Sequence, residues 1–157
     1  MHYTISVMVE NEFGVLSRVV GLFSGRGFNI ESLCVAETED PKISRITIVT
    51  EGNKQIVEQV LKQLNKLIPV LKVSDLTEHD TVDRELVLVK VKADNDTKPE
   101  VMRLIDIFRA KIIDVAPRSY TIEVTGETKK VNAFLQLLRP IGIKDVVRTG
   151  KIAIARG

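Results

Sequence analysis

Apolar residues along this chain change period in a fixed order, strand, helix, strand, strand, helix, strand, and then the order begins again. From Thr4 to Glu10 they alternate, Ile5, Val7 and Val9 facing one way and Thr4, Ser6 and Met8 the other, the period of a half-buried strand. After the turn Asn11-Glu12-Phe13-Gly14, helical spacing takes over at Val15, Leu16, Val19, Val20, Leu22 and Phe23. Ser24-Gly25-Arg26-Gly27 ends that helix, with a glycine C-cap. Strands follow from about Phe28 to Glu37 and Ser44 to Thr50, joined through the polar turn Thr38 to Lys42. Ile56, Val57, Val60, Leu61 and Leu64 mark a second helix, stopped by Pro69 before a strand from Val70 to Leu76.

Residues 78–84 are polar and without apolar period, and read as a linker. The pattern then repeats. Leu86 to Val91 is a strand; Thr97-Lys98-Pro99-Glu100 resembles a capping box opening a helix through Val101, Leu104, Ile105 and Phe108. Strands are expected at Ile112 to Val115 and Tyr120 to Thr125. A helix carries Val131, Phe134, Leu135 and Leu138 as far as Pro140, and a short strand at Ile152 to Ile154 closes the chain. The fold class is therefore α+β, two tandem ferredoxin-like βαββαβ units, residues 1–77 and 85–157, each with two helices on one face of an antiparallel sheet. On the other sheet face of the first unit, Met8, Leu33, Val35, Ile46 and Ile48 are candidates for an apolar surface. Units this small bury a modest share of their surface, so pairing with another unit or chain is a physical expectation.

Composition excludes several classes. Charged residues make up 28% of the 157 residues with a net charge of only +2, and no block of one sign marks a nucleic-acid arm. The single Cys34 forms no internal disulfide, and no apolar run reaches the roughly 20 residues of a membrane span. With no signal-peptide pattern at the start, a cytoplasmic address is expected. His2 and His79 have no partner at ligand or triad spacing, Cys34 sits in an apolar strand, and Ser24-Gly25-Arg26-Gly27 lies at the wrong end of a helix for phosphate. No catalytic or metal-ligating set emerges.

One loop concentrates the remaining signal, Asn11 to Leu16 between the first strand and first helix. Free N–H groups at a helix start attract a carboxylate, Gly14 permits close backbone approach, and the Asn11 amide offers a donor and an acceptor to a zwitterion. Asn29 offers a similar amide where the second strand opens. On the residues alone, a second reading stands beside this one: Asn11 caps the turn and Gly14 merely permits it.

Asn11-Glu12-Phe13-Gly14-Val15-Leu16-Ser17-Arg18-Val19, followed by Gly27-Phe28-Asn29-Ile30-Glu31-Ser32-Leu33, resembles an ACT domain, and in particular the small regulatory subunits of acetolactate synthase. The second half carries the resemblance on through Phe108 to Val115, Thr125-Gly126, Arg148-Thr149-Gly150 and Ala155-Arg156-Gly157. The resemblance implies a non-catalytic regulatory subunit of branched-chain amino acid biosynthesis. Its ACT domains pair as a homodimer and bind valine, the feedback inhibitor, at their interface. Asn11, Gly14, Val15 and Leu16 would hold the ligand from one subunit, with Asn29 and Ile30 closing the site from the other. The partner would be the large catalytic subunit, carrying thiamine diphosphate, FAD and Mg, with no cofactor in this chain.

Two rivals remain at this stage. A free-standing ACT sensor would answer to serine, threonine or glycine. An RNA-binding module would need aromatics on its central strands, and Thr4 to Glu10 and Ser44 to Thr50 contain none.

Overall fold

The computed structural model describes residues 1–157, which divide into a unit of Met1–Val82 with Lys151–Gly157 and a unit of Asp83–Gly150. The first contains β1 (His2–Glu10), α1 (Val15–Ser24), β2 (Ile30–Glu37), β3 (Ile43–Glu51), α2 (Lys54–Lys66) and β4 (Val70–Asp75). Its sheet is antiparallel in the order β2-β3-β1-β4. The alternation in β1 sends Tyr3, Ile5, Val7 and Val9 into one core with Val15, Val19 and Phe23 of α1 and Val57, Val60 and Leu64 of α2. Each such burial is worth roughly 1.5–3 kcal/mol before entropy is set against it. Tyr3, which β1 gains by starting earlier than expected, is buried among these residues.

The sheet register corrects the expected apolar face. Ile5 lies opposite Ile48 and Val7 opposite Ile46, and partners directly opposite in an antiparallel pair share a face. Ile46 and Ile48 are therefore core residues under the helices, fully buried. Leu33 and Val35 oppose Ile48 and Ile46, so they share the helix side, partly exposed because β2 is an edge strand. Of the five residues, only Met8 lies on the other face, beside Thr4, Ser6 and Thr47, which are buried there.

Helix ends follow local chemistry. Asn53 caps α2 by accepting from the Gln55 N–H at 2.8 Å. Gly25 after α1 stays in the right-handed helical region, and the left-handed reversal falls on Gly27 (φ 76°), so the glycine stop sits two residues later than a C-cap at Gly25.

The second unit contains β5 (Thr81–Lys92) from Asp83 onward, α3 (Lys98–Phe108), β6 (Lys111–Ala116), β7 (Ser119–Gly126), α4 (Thr128–Leu138) and β8 (Ile143–Arg148), with strand order β6-β7-β5-β8. Val87, Val89 and Val91 pack with Val101, Leu104, Ile122, Val124, Val131, Phe134 and Leu138. Here the fourth strand is β8, not Ile152 to Ile154. Ile143-Lys144-Asp145-Val146-Val147-Arg148 lacks clean alternation because it is an edge strand with a bulge opposite Lys90 and Val91. β9 (Ile152–Ala155) instead pairs with β5. Residues 151–157 belong to the first unit and bond within it: Lys151 Nζ lies 3.2 Å from Thr4 Oγ1, and the Arg156 N–H donates to the Asp80 carbonyl at 2.9 Å. The expected linker is correspondingly shorter, since β5 begins at Thr81 despite its polar start.

No capping box forms at α3. Thr97 Oγ1 turns back to the Asp94 N–H at 2.9 Å, and Glu100 pairs with Arg103 at 2.6 Å. The proline does stand in the first turn, where its missing N–H is harmless.

Candidate functional site

The β1–α1 loop is held on two sides by backbone. The Glu10 N–H donates to the Pro69 carbonyl at 2.8 Å, and the Asn11 N–H to the Lys42 carbonyl at 2.7 Å. The Asn11 side chain does not cap α1. Its Nδ2 donates to Glu37 Oε1 at 3.2 Å and to the Pro41 carbonyl at 3.0 Å, both on the β2–β3 hairpin. Both partners are acceptors only, which fixes the amide orientation and turns Oδ1 away from them. Of the donor and acceptor expected for a ligand, the acceptor is the one left over.

Gly14 is the residue before α1, at φ 83°, and no side chain caps the helix. A Cβ built there meets nothing within 4 Å, so its role is conformational: the left-handed region is open to glycine at little strain. The first turn of α1 carries no acidic residue, so its positive end is not offset from within the helix. Val15 departs from the expected pocket lining. Its side chain is buried in the core, leaving only its backbone toward the loop, where its N–H makes a long 3.4 Å contact to the Glu12 carbonyl. Leu16 is partly exposed and Phe13 fully so.

Asn29 and Ile30 lie elsewhere. The Asn29 carbonyl accepts from Thr50 Oγ1 at 2.8 Å, and Ile30 packs half-buried against the core as β2 begins. Ten residues of α1 separate the two groups, a helix length of about 15 Å. One chain thus brings Asn11, Gly14 and Leu16 together and leaves Asn29 and Ile30 at the other end of α1.

Comparison with known proteins bears on what such a loop serves. Residues 5–72 match the family model described as an AHAS small subunit-like ACT domain, and residues 84–157 the model described as the small subunit of acetolactate synthase. A probable acetolactate synthase small subunit of Archaeoglobus fulgidus is 55% identical over the whole chain and 98% of its own length. The acetolactate synthase small subunit of Haemophilus influenzae is 51% identical over the whole chain and 97% of its own. The chain belongs to the acetolactate synthase small subunits. A solved small subunit from Thermotoga maritima superposes over the whole chain with a TM-score of 0.90 at 41% identity, covering 98% of that chain.

The ACT match of this small subunit spans β1 into β4 and so contains all six residues singled out from the sequence. One cluster escaped the sequence reading. His2 Nδ1 stands 3.1 Å from Glu31 Oε2, and ligating atoms of His2, Glu31 and Glu51 all lie within 4.8 Å of one another, at exposed positions. Strand register makes it, since His2 opposes Glu51 and Glu31 is the bulged residue of β2; linear spacing carries no trace of it. Cys34 is half-buried in β2, and no helix is long and apolar enough to cross a membrane.

Proposed function

We propose that this small subunit binds valine between two copies of its first unit, and through that site confers feedback inhibition on a catalytic acetolactate synthase subunit that it otherwise activates. The observation that carries the reading is the tether from Asn11 to Glu37. It fixes the ligand loop beside the last residue of the edge strand β2, whose first residue, Ile30, is seven residues away, roughly 23 Å along the strand. Two copies of β2 pairing antiparallel would set Asn29 and Ile30 of one copy beside Asn11 to Leu16 of the other, twice per symmetric dimer. Neither copy completes the site alone.

The ligand's carboxylate suits the unoffset positive end of α1, its ammonium suits Asn11 Oδ1, and its branched side chain suits Leu16 and the partner's Ile30. Burying a valine side chain contributes roughly 1.5–3 kcal/mol, and each charge-assisted hydrogen bond about as much, less the cost of association. One methylene alters this by only about 1–3 kcal/mol, so leucine and isoleucine bind more weakly without being rejected.

The relatives are named small subunits, which implies a larger partner. In this reading that partner holds the thiamine diphosphate, FAD and Mg and performs the condensation of pyruvate, while this chain contributes regulation alone. Inhibition requires that valine favour the inhibited arrangement of the complex over the active one, typically by about 1–3 kcal/mol.

Calorimetric titration of valine into the full chain tests the site, with Asn11→Ala alongside, followed by inhibition of the reconstituted complex. A saturable signal abolished by the substitution supports the reading. Silence toward valine, leucine and isoleucine with binding of serine or threonine would replace it with a different ACT sensor.

A further inference from the structure

The two units repeat one hydrogen-bonding scheme at the end of their central strands. In the first, Glu10 closes β1 by donating to Pro69, just before β4, and Asn11 donates to Lys42, just before β3. In the second, Lys92 closes β5 by donating to Gly142 at 2.8 Å, just before β8, and Ala93 donates to Arg118 at 3.0 Å, just before β7. The bulges correspond as well. β4 skips Leu71 opposite Met8 and Val9, and β8 skips Lys144 opposite Lys90 and Val91. The β5–α3 loop is thus the second unit's counterpart of the β1–α1 ligand loop.

The charge at that place has gone from balanced to positive. Where the first unit has Glu10, Lys42 and Leu71, the second has Lys92, Arg118 and Lys144, and with Asp94 these three line an open cleft of about 470 Å³. That is within the size range of small-molecule sites, about 300–1,000 Å³. Asp94 does not neutralise it. Its Oδ1 accepts from the N–H groups of Asp96 at 3.0 Å and Thr97 at 2.9 Å, and its Oδ2 lies 3.4 Å from Lys92 Nζ. Arg118 and Lys144 have no acidic partner, and the bulge turns Lys144 out of the regular alternation of β8. Three cations against one committed carboxylate leave a charge that matches a phosphoryl dianion, about −1.5 to −2 near neutral pH. An arginine together with two lysines is a donor set suited to its three oxygens.

We propose that this cleft of the second unit is an anion site for a phosphoryl group, either free phosphate or the phosphate of a small monoester. It is separate from the amino-acid site and does not rest on that reading.

The test is a titration of the ¹⁵N-labelled full chain with inorganic phosphate and, separately, with AMP, at constant ionic strength. Saturable amide shifts are expected around Lys92, Ala93, Arg118 and Lys144. Each of Arg118→Gln and Lys144→Gln should weaken binding about tenfold, and Lys129→Gln on α4 should leave it unchanged. AMP binding more tightly than phosphate identifies a monoester; equal affinities identify phosphate itself. The spectra report folding of each variant directly. Shifts that never saturate and spread over all surface lysines, or saturable binding that survives in both variants, would overturn the proposal.

Discussion

The Nδ2 of Asn11 reaches Glu37 Oε1 at 3.2 Å, joining the β1–α1 loop to the last residue of β2. Both groups are exposed, so the contact matters less to stability than to where the loop sits. A net hydrogen bond of this kind is worth about 0.5–1.5 kcal/mol. Glu37→Ala should leave the denaturation midpoint nearly unmoved and weaken valine binding about fivefold, with Asn11→Ala weakening it further by removing Oδ1 as well. Calorimetry beside denaturant unfolding checks the split. Loss of stability with unchanged affinity in both variants would mean that the tether serves the fold alone.

Gly14 gives a sharper separation of strain from space. A Cβ there meets nothing within 4 Å, so Gly14→Ala should cost only the left-handed backbone penalty, about 1–2 kcal/mol. Gly14→Asn should cost less, because asparagine visits that region more readily. Hydrogen exchange of the α1 amides is the readout, and equal costs for the two variants would contradict a strain origin.

In the second unit, Arg148 clasps the buried Glu85 through Nε at 2.5 Å and Nη2 at 3.0 Å, and the same Nη2 donates to Asn132 of α4 at 2.9 Å. The hydrogen bonds that it donates to Glu85 hold the Arg148 guanidinium protonated even more firmly than usual. Removing Glu85 strands a partly exposed cation, so Glu85→Ala should destabilise by about 1–3 kcal/mol, below the range for a fully buried pair. Asn132→Ala should cost less than half of that. Comparable losses in denaturant unfolding would shift the weight to the α4 contact.

Asp94 sets an acid-side prediction. The Thr97 N–H above all, with further bonds from Thr97, Lys92 and Asp96, holds its carboxyl below the ordinary aspartate range. A depressed folded-state value means stability is present above the unfolded value and lost as pH falls through the folded one. Asp94→Asn keeps an oxygen for the loop N–H groups but cannot titrate. Its unfolding midpoint should therefore fall less than that of the wild type below about pH 4. Parallel acid limbs for the two proteins would assign the loss to other carboxylates.

What the sequence revealed follows from which signals are local. One-sided burial made β1, β5, β7 and all four helices legible, because Ile5, Val7 and Val9, or Val131, Phe134 and Leu138, mark a period by themselves. It did not reveal β8, where the bulged Lys144 breaks the period, nor the face of Ile46 and Ile48, which only pairing with Val7 and Ile5 decides. The chemistry of Asn11 and Gly14 singled out their loop but, on the residues alone, left a turn-permitting reading beside a ligand-binding one. The bond from Asn11 to Glu37 and the gathering of Lys92, Arg118 and Lys144 were not legible, since each joins segments that only the sheet brings together.

Gly52 carries the last prediction. A Cβ there would run into the Phe28 ring, the half-buried side chain that packs on the core immediately before Asn29. Gly52→Ala must push that ring aside, and forced repacking of this kind typically costs about 1–3 kcal/mol. Because Asn29 and Ile30 follow Phe28 directly, displacement of the ring should also weaken valine binding if the proposed site between two copies is right. The two effects separate in a double-mutant cycle with Phe28→Leu. Leucine lacks the ring edge that meets the new methyl, so adding Gly52→Ala in that background should cost far less than in the wild type. Strict additivity would place the strain in the Gly52 backbone, and stability restored without affinity would show that Asn29 needs the aromatic ring itself.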